Sequence, residues 1–320
     1  MAEMGVSAVI IGRNEGARLI ACLEAARGRF DRIVYVDSGS TDGSQQAARV
    51  RGAEVVELDM GTPFTAARAR NAGFARLCEG GKTPEFVQFL DGDCILQPGW
   101  IETALAFLRA NPAAVIACGR CRERYPDRSV YNRLADIEWD TPIGQTKACG
   151  GDMLIRTGAL LAVGGYDPTL IAGEEPELCV RLRAAGWQIW RLDAEMTLHD
   201  AAMTRFGQWW RRAARGGYAY AQAVAMHGRP PERHGVPELV RIVGWGMLLP
   251  LMILAGLALT PWAALLVLIW PAQMMRRWRK GDPWYQAVFV TLAKFPEAQG
   301  VLTYLWRRLR RAPIALIEYK

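Results

Sequence analysis

The stretch Glu85–Cys94, EFVQFLDGDC, is a short apolar run that ends on two carboxylates, Asp91 and Asp93, two positions apart. An apolar run of this length closed by a turn signal suits a buried strand. Acids immediately beyond such a strand do not both face a core. At the carboxyl edge of a sheet they form a hard-oxygen pair suited to Mg2+ or Mn2+, ions that bind one or two carboxylates together with substrate phosphates. Asp-Gly is also a common turn, so the stretch by itself leaves a metal site and a plain polar turn both open.

Outward from it, residues 6–120 alternate between strand and helix patterns. VSAVIIG, RIVYVD and AEVVEL are strand-like, while EGARLIACLEAAR, STDGSQQAARV and TAARARNAGFARLCE carry helical spacing. This alternation predicts an α/β domain with a mostly parallel sheet flanked by helices. Ligands of such sheets bind where loops leave the carboxyl ends of the strands. The polar clusters RNE (Arg13–Glu15), DSGSTDGS (from Asp37) and DGD are therefore expected to open onto one crevice.

Farther along, AGEEPELCVRLRAAGW (Ala172–Trp187) reads as a helix with Pro176 at its first position and Glu174 and Glu175 in the lip before it. The helix dipole favours an ionised carboxylate there, and an ionised carboxylate in a crevice can serve as a general base. Acids also favour first turns for stability alone, and the choice between Glu174 and Glu175 stays open. LHD (Leu198–Asp200) offers His199 as a metal ligand or a structural histidine. Arg211 and Arg212 suit either a diphosphate or anionic lipid. Cys118 and Cys121 form a lone CxxC without the further ligands a zinc site needs, and seven cysteines at irregular spacing suit reduced thiols.

The charge is divided unevenly. Residues 1–200 hold 22 Lys/Arg against 27 Asp/Glu, a balance of −5; residues 201–320 hold 17 against 5, or +12. With 51% hydrophobic and 22% charged residues the chain is not disordered. Between Arg241 and Arg276 no charge interrupts IVGWGMLLPLMILAGLALTPWAALLVLIWPAQMM. A single helix of that length would reach about 50 Å, well beyond a hydrocarbon core of about 30 Å. The LTPWA break therefore predicts a hairpin over 236–276, either crossing the membrane, re-entrant, or buried as a helical pair. Basic residues on both flanks place both ends at the cytoplasmic face of the cell membrane, and favour an anionic membrane over nucleic acid as partner. Residues 282–320 read as an amphipathic interfacial helix and tail. The short apolar run at the N-terminus does not form a signal-peptide core, so the first domain, residues 1–227, is expected in the cytoplasm.

Taken in order, these motifs resemble family-2 glycosyltransferases of the GT-A fold, over about residues 6–215. VIIGRNE is similar to the family's first strand and turn, which implies Arg13, Asn14 and Glu15 near a nucleotide. VDSGSTDGS is similar to VDDGSTDGT, implying Asp37 as a base or ribose contact, with Ser38 replacing the second Asp. ARNAG, containing Arg70, resembles the ARNxG segment. LDGDC resembles the DXD site, implying Asp93 as metal ligand and Asp91 near the ribose, and GEEPELCVR resembles the segment that supplies the base, with Glu175 in place of Asp. QWWRR partly matches QxxRW through Gln208 and Arg211, while Arg212 replaces the Trp. In CGGDM, the glycines allow close approach and Asp152 suits a sugar hydroxyl. The resemblance implies inverting, Mg2+- or Mn2+-dependent transfer from a nucleotide-diphosphate sugar, most commonly a UDP-sugar, with Glu175 as base, Asp93 on the metal, and His199 and Arg211 assisting. The adjoining hairpin points to a lipid-linked saccharide acceptor in surface-glycan assembly. A polyprenyl-phosphate sugar transferase, a nucleotidyltransferase and an inactive, membrane-tethered nucleotide-sugar-binding protein are the alternatives.

Overall fold

In the computed structural model, which describes residues 5–81 and 83–311, the chain opens with β1 (Val6–Gly12), α1 (Ala17–Ala26), β2 (Ile33–Asp37), α2 (Ser44–Val50), β3 (Glu54–Glu57), α3 (Ala66–Cys78) and β4 (Phe86–Asp91). It continues through β5 (Cys94–Leu96), α4 (Trp100–Ala110), β6 (Ala114–Glu123), α5 (Val130–Glu138), β7 (Gly144–Thr146), β8 (Met153–Arg156), α6 (Thr157–Ala162), α7 (Glu174–Ala184) and β9 (Gln188–His199). Val6, Ala8, Val9 and Ile10 of β1 are all buried, as expected of a strand covered by helices on both faces.

The strands form one sheet in the order β3-β2-β1-β4-β8-β6-β9-β5, with β7 pairing β9. The parallel pattern expected from the sequence holds through β3-β2-β1-β4, and β6 also runs parallel to β9; β8, β5 and β7 pair antiparallel. In the register Gly12 pairs with Asp37 and Ile11 with Asp91, so the loops after β1, β2 and β4 leave the sheet at one level.

β4 and β5 are separated by Gly92 and Asp93 alone, yet three strands lie between them in the sheet. Crossing four strand spacings on a flat sheet would take about 19 Å. The three steps from Asp91 to Cys94 span at most about 11 Å. The sheet must therefore curl so that its far edge returns to its central strand, and the DGD turn lies on that closure.

Two compact units emerge: residues 1–128 with 135–202, and residues 129–134 with 203–320. The second contains α8 (Phe206–His227), which the sequence reading places with the α/β domain, and a helix over Val236–Leu257. A chain reversal follows, with a tight helical turn over Pro261–Leu268 and helices over Ile269–Arg279, Trp284–Leu292 and Lys294–Arg310. Leu249 and Ile253 of the first arm pack on Trp270 of the second. The arms are not a buried pair, because only 17% of the apolar window of Val236–Leu257 is buried and Leu259 at the reversal is 88% exposed. The Lys294–Arg310 helix, expected to be interfacial, buries Pro296, Ala298, Gly300 and Val301. Residues 312–320 of the expected tail lie outside the described residues.

This helix approaches α8 through glycine. A Cβ at Gly217 would lie 2.6 Å from Glu297 Cα, and one at Gly300 would lie 2.7 Å from the Tyr218 nitrogen, whereas one at Gly216 would meet nothing within 4 Å. Backbone cannot yield as a side chain can. Gly217→Ala is expected to lower thermal stability by about 1–3 kcal/mol through overpacking, while Gly216→Ala raises it by up to about 1 kcal/mol through helix propensity. Melting temperatures of the two variants should move in opposite directions.

Candidate active site

The site is organised by Arg70, on α3 and only 2% exposed. Its Nη2 donates to Asp91 Oδ1 at 2.9 Å, its Nη1 donates to Glu174 Oε1 at 2.8 Å, and Nη1 also lies 2.8 Å from Glu175 Oε1. The guanidinium packs over the Tyr166 ring, 5.6 Å from its centroid. Tyr166 is fixed in turn by the next residue of the ARNAG segment: Asn71 Nδ2 donates to the Tyr166 carbonyl at 2.7 Å and Asn71 Oδ1 accepts the Tyr166 N–H at 2.9 Å. One helical turn thus supplies both the cation and the clamp on the ring beneath it.

Helix α7 begins at Glu174, two residues earlier than the Pro176 start expected from the sequence. Gly173 supplies the left-handed residue before it, at φ 78°. Pro176 then sits in the first turn, where its missing N–H removes no helical hydrogen bond. Glu174 is buried in the helix itself, and Glu175 points at the same arginine. Burial, and next the neighbouring Glu174, push the Glu175 carboxyl up to about 7, against the pull of Arg70. The dipole argument, which made Glu175 fully ionised at neutral pH, is outweighed by desolvation.

Gly151 and Asp152 close the other side. A Cβ at Gly151 would fall 2.6 Å from Arg70 Nη2 and 3.2 Å from Glu175 Oε1, so only glycine lets the backbone pass the ion cluster. Asp152, expected to face a sugar hydroxyl, instead accepts the Asp91 N–H at 3.0 Å on Oδ1 and the Thr197 hydroxyl at 2.7 Å on Oδ2. Burial and Asp91 raise its pKa. Its carboxyl braces the DGD turn against β9.

The loops expected to hold a nucleotide are tied together. Asn14, at φ 55°, donates its N–H to Ser40 Oγ at 2.8 Å and accepts the Thr41 N–H at 2.8 Å. Arg13 stacks on Phe64 at 4.8 Å, and Glu15 pairs with Arg18 at 2.6 Å. Asp37 is buried and accepts from Tyr35 Oη, the N–H groups of Gly39 and Ser40, and Gln45 Nε2, all at 2.8–3.0 Å. Its carboxylate therefore shapes the loop after β2. Buried Ser38 donates its N–H to the Gly12 carbonyl at 3.1 Å.

Across the turn, Asp93 Oδ2 lies 3.2 Å from His199 Nε2, and Cys94 stands opposite His199 in the antiparallel β5–β9 pair. His199 is stacked on Trp139, centroids 4.6 Å apart and planes 5° from parallel. Two ligands at right angles on one Mg2+- or Mn2+-sized ion, each about 2.1 Å from it, stand about 3 Å apart, and this oxygen–nitrogen pair fits that spacing. Cys94 completes the cluster in space, but its thiol is soft and is held protonated by burial and the surrounding acids, so it does not suit such an ion. Cys118 of the lone CxxC donates to the Trp190 carbonyl at 3.5 Å, and burial pushes its thiol up to about 12, the character of an inert core cysteine.

Residues 7–160 match the family model described as glycosyl transferase family 2. The matched segment, which lies within this α/β domain, belongs to that family. Among curated relatives, a pre-mycofactocin glycosyltransferase of Mycobacterium tuberculosis (strain H37Rv) is 27% identical over 235 residues, 69% of this chain and 48% of that protein. The succinoglycan biosynthesis protein ExoA of Rhizobium meliloti is 24% identical over 270 residues, 78% of this chain and 80% of that one. The chain spans about half the length of the first of these relatives. In fold it is similar to a Pyrobaculum calidifontis mannosyltransferase solved with GDP-Man and Mn2+, at TM-score 0.66 and 19% identity over 96% of this chain and 89% of that one. Glucosyl-3-phosphoglycerate synthase of M. tuberculosis follows at TM-score 0.50 and 19% identity, covering 71% of this chain and 81% of that one. The fold is GT-A.

Arg70, Asp91 and Asp152 of the matched segment converge with Glu175 beyond it, and Asp93 meets His199 beside them. Arg211 and Arg212 lie on α8, in the second unit, and Gln208 of the same segment caps that helix by accepting the Thr204 and Arg205 N–H groups at 2.9 and 3.0 Å. The glycines of CGGDM were expected to allow close approach, which Gly151 does, whereas Thr197 and Trp139 were not singled out. Neither of these two carries a local signal.

Removing Arg70 would leave three carboxylates facing one another. Arg70→Met is expected to lose about 3–5 kcal/mol of stability. Groups whose folded pKa is raised lose their stabilisation as pH climbs toward that pKa, so the deficit should grow between pH 5 and 8. Melting curves of variant and parent across that range read the effect.

Proposed function

We propose that the protein is an inverting, divalent-metal-dependent glycosyltransferase that moves a sugar from a nucleotide-diphosphate sugar, a UDP-sugar in the first instance, to a hydroxyl of a lipid-linked saccharide in surface-glycan assembly. The observation that carries this reading is the placement of Glu175, 2.8 Å from the Arg70 guanidinium that also holds Asp91 of the DGD turn; burial raises its carboxyl to about 7, and a general base works best with a pKa near the working pH. In its ionised form Glu175 takes the acceptor hydroxyl proton, and the oxygen attacks the anomeric carbon as the diphosphate leaves. A single displacement inverts the configuration. Arg70 holds Glu175 and Asp91 in place and Glu174 keeps the base from ionising too readily, while Asp91, one residue past Leu90 of the central strand, faces the ribose. Mg2+ or Mn2+ held by Asp93 and His199 would neutralise the departing diphosphate. Arg13, Asn14, Glu15, Asp37 and Ser38 form the nucleotide-side loops, Asp37 acting through the loop it shapes, with Arg211 and Arg212 as further phosphate partners.

The helix over Val236–Leu257, about 33 Å long, is sufficient for a hydrocarbon core of about 30 Å. With its apolar face uncovered, it supports anchoring by the hairpin at the cytoplasmic face of the cell membrane, which would set the domain beside a lipid-borne acceptor. The chain is expected to sediment with membranes, to resist extraction by high salt, and to be released by detergent.

Glu175→Gln should retain nucleotide binding and lower transfer by about 10²–10⁴-fold. In the parent the rate should rise about tenfold per pH unit below about 7 and level off above it, because only the ionised carboxylate accepts a proton. Glu174→Gln removes the neighbouring negative charge and should move that limb to lower pH. Asp93→Ala should abolish the Mn2+-dependent thermal shift given by UDP. Undiminished transfer by Glu175→Gln would overturn the assignment and select a phosphate acceptor, which needs no base, as in a polyprenyl-phosphate sugar transferase.

A further inference from the structure

A second cleft opens on the α/β domain, about 850 Å³ in volume, between α1 and the segment that follows β6. Ala17, Arg18 and Ala21 of α1 line it together with Arg124–Arg128, which include the carboxylate of Asp127, and with Asp200. Tyr125, 41% exposed, carries a guanidinium against its ring from each neighbouring arginine: Arg124 Cζ is 5.0 Å and Arg128 Cζ 5.5 Å from the centroid. Packing a guanidinium on an aromatic ring employs its face and leaves its N–H edge available to a planar anion. Among the described residues no carboxylate pairs with Arg124 or Arg128, whereas Arg18 is engaged by Glu15 at 2.6 Å. Of the two acids that line the cleft, Asp200 turns Oδ1 to the Ala202 N–H at 3.1 Å.

The segment is held rigidly. Arg124 donates its N–H to the His199 carbonyl at 2.8 Å, Glu123 accepts the N–H groups of Tyr125 and Ala201, each at 2.9 Å, and Arg128 donates its N–H to the Tyr125 carbonyl at 3.1 Å. Two cations are thus pre-positioned at a cleft whose lining residue Asp200 follows His199 directly in sequence. Arg124–Arg128 and Asp200 directly follow β6 and β9, while α1 on the other side begins two residues past Glu15.

We infer that this cleft binds a phosphate group of the acceptor, with Arg124 and Arg128 as its ligands and Tyr125 as the platform that orients them. The inference rests on the glycosyl-transfer reading and names the class of acceptor: a phosphate- or diphosphate-bearing molecule, anchored at a distance from the hydroxyl that reacts. Its source is either a lipid diphosphate or a free phosphate ester.

The test uses the full chain in detergent, with farnesyl diphosphate, farnesol and inorganic pyrophosphate as probes. Their binding is measured in the presence of EDTA, and UDP binding is measured separately with Mn2+. Farnesyl diphosphate should bind without metal, farnesol should not, and the Arg124→Ala/Arg128→Ala double variant should weaken diphosphate binding by about tenfold or more while UDP affinity stays within about twofold. The Arg→Lys pair should fall between. Tighter binding of farnesyl diphosphate than of pyrophosphate marks a lipid source, and equal binding marks a free phosphate. Diphosphate binding that survives the double Ala substitution, no binding of either phosphate probe, or parallel loss of UDP affinity would overturn the inference. Failure of the unsubstituted chain to bind UDP with Mn2+ counts against the transfer reading and leaves the metal-free measurement to decide the cleft.

Discussion

One buried guanidinium sets the terms for the rest of the site. Arg70 is almost without solvent, and three carboxylates from β4 and α7 converge on it. A buried arginine cannot shed its proton, so its desolvation must be met by anions nearby. Burial within that cluster, and next the neighbouring Glu174, raise Glu175 to about 7 against the pull of the cation. The same cluster forbids a side chain at Gly151 and requires Asp152 to tether the turn beside it. Structural demand and chemical tuning therefore have a single origin.

The domain assigns its carboxylates to distinct environments. Asp37 accepts four hydrogen bonds and builds a loop, Asp152 braces two strands, Glu175 is kept poised, and Asp93 faces an imidazole. Residue type alone does not separate these roles. Each is fixed by what the fold brings within 3.2 Å.

Much of this arrangement was legible in the chain. The strand runs before Arg13, Asp37 and Asp91 carried a strong period, and their shared level follows from parallel pairing. DGD and the later LHD offered Asp93 and His199 as a pair, and the curled sheet brings their side chains to 3.2 Å. The start of α7 was misplaced because Pro176 suits any first-turn position, and Gly173 was the better signal. Full ionisation of Glu175 was misread because a helix dipole is visible in sequence whereas the desolvation around a side chain is not. Arg70 stood in a recognisable segment, but its partners lie far along the chain, so the ion cluster itself was not legible. Trp139 beneath His199 is a purely tertiary contact.

The curl of the sheet has a consequence for how this protein can vary. Surface loops ordinarily accept insertions at a small entropic cost that grows only slowly with length. The turn of Gly92 and Asp93 is different, because it acts as a ruler that draws the short edge strand β5 back to the central strand β4. One added residue would loosen that seam, let β5 slip along β9, and turn Asp93 away from the imidazole it faces. A turn that looks like the most expendable part of the chain is thus among the least tolerant of a change in length.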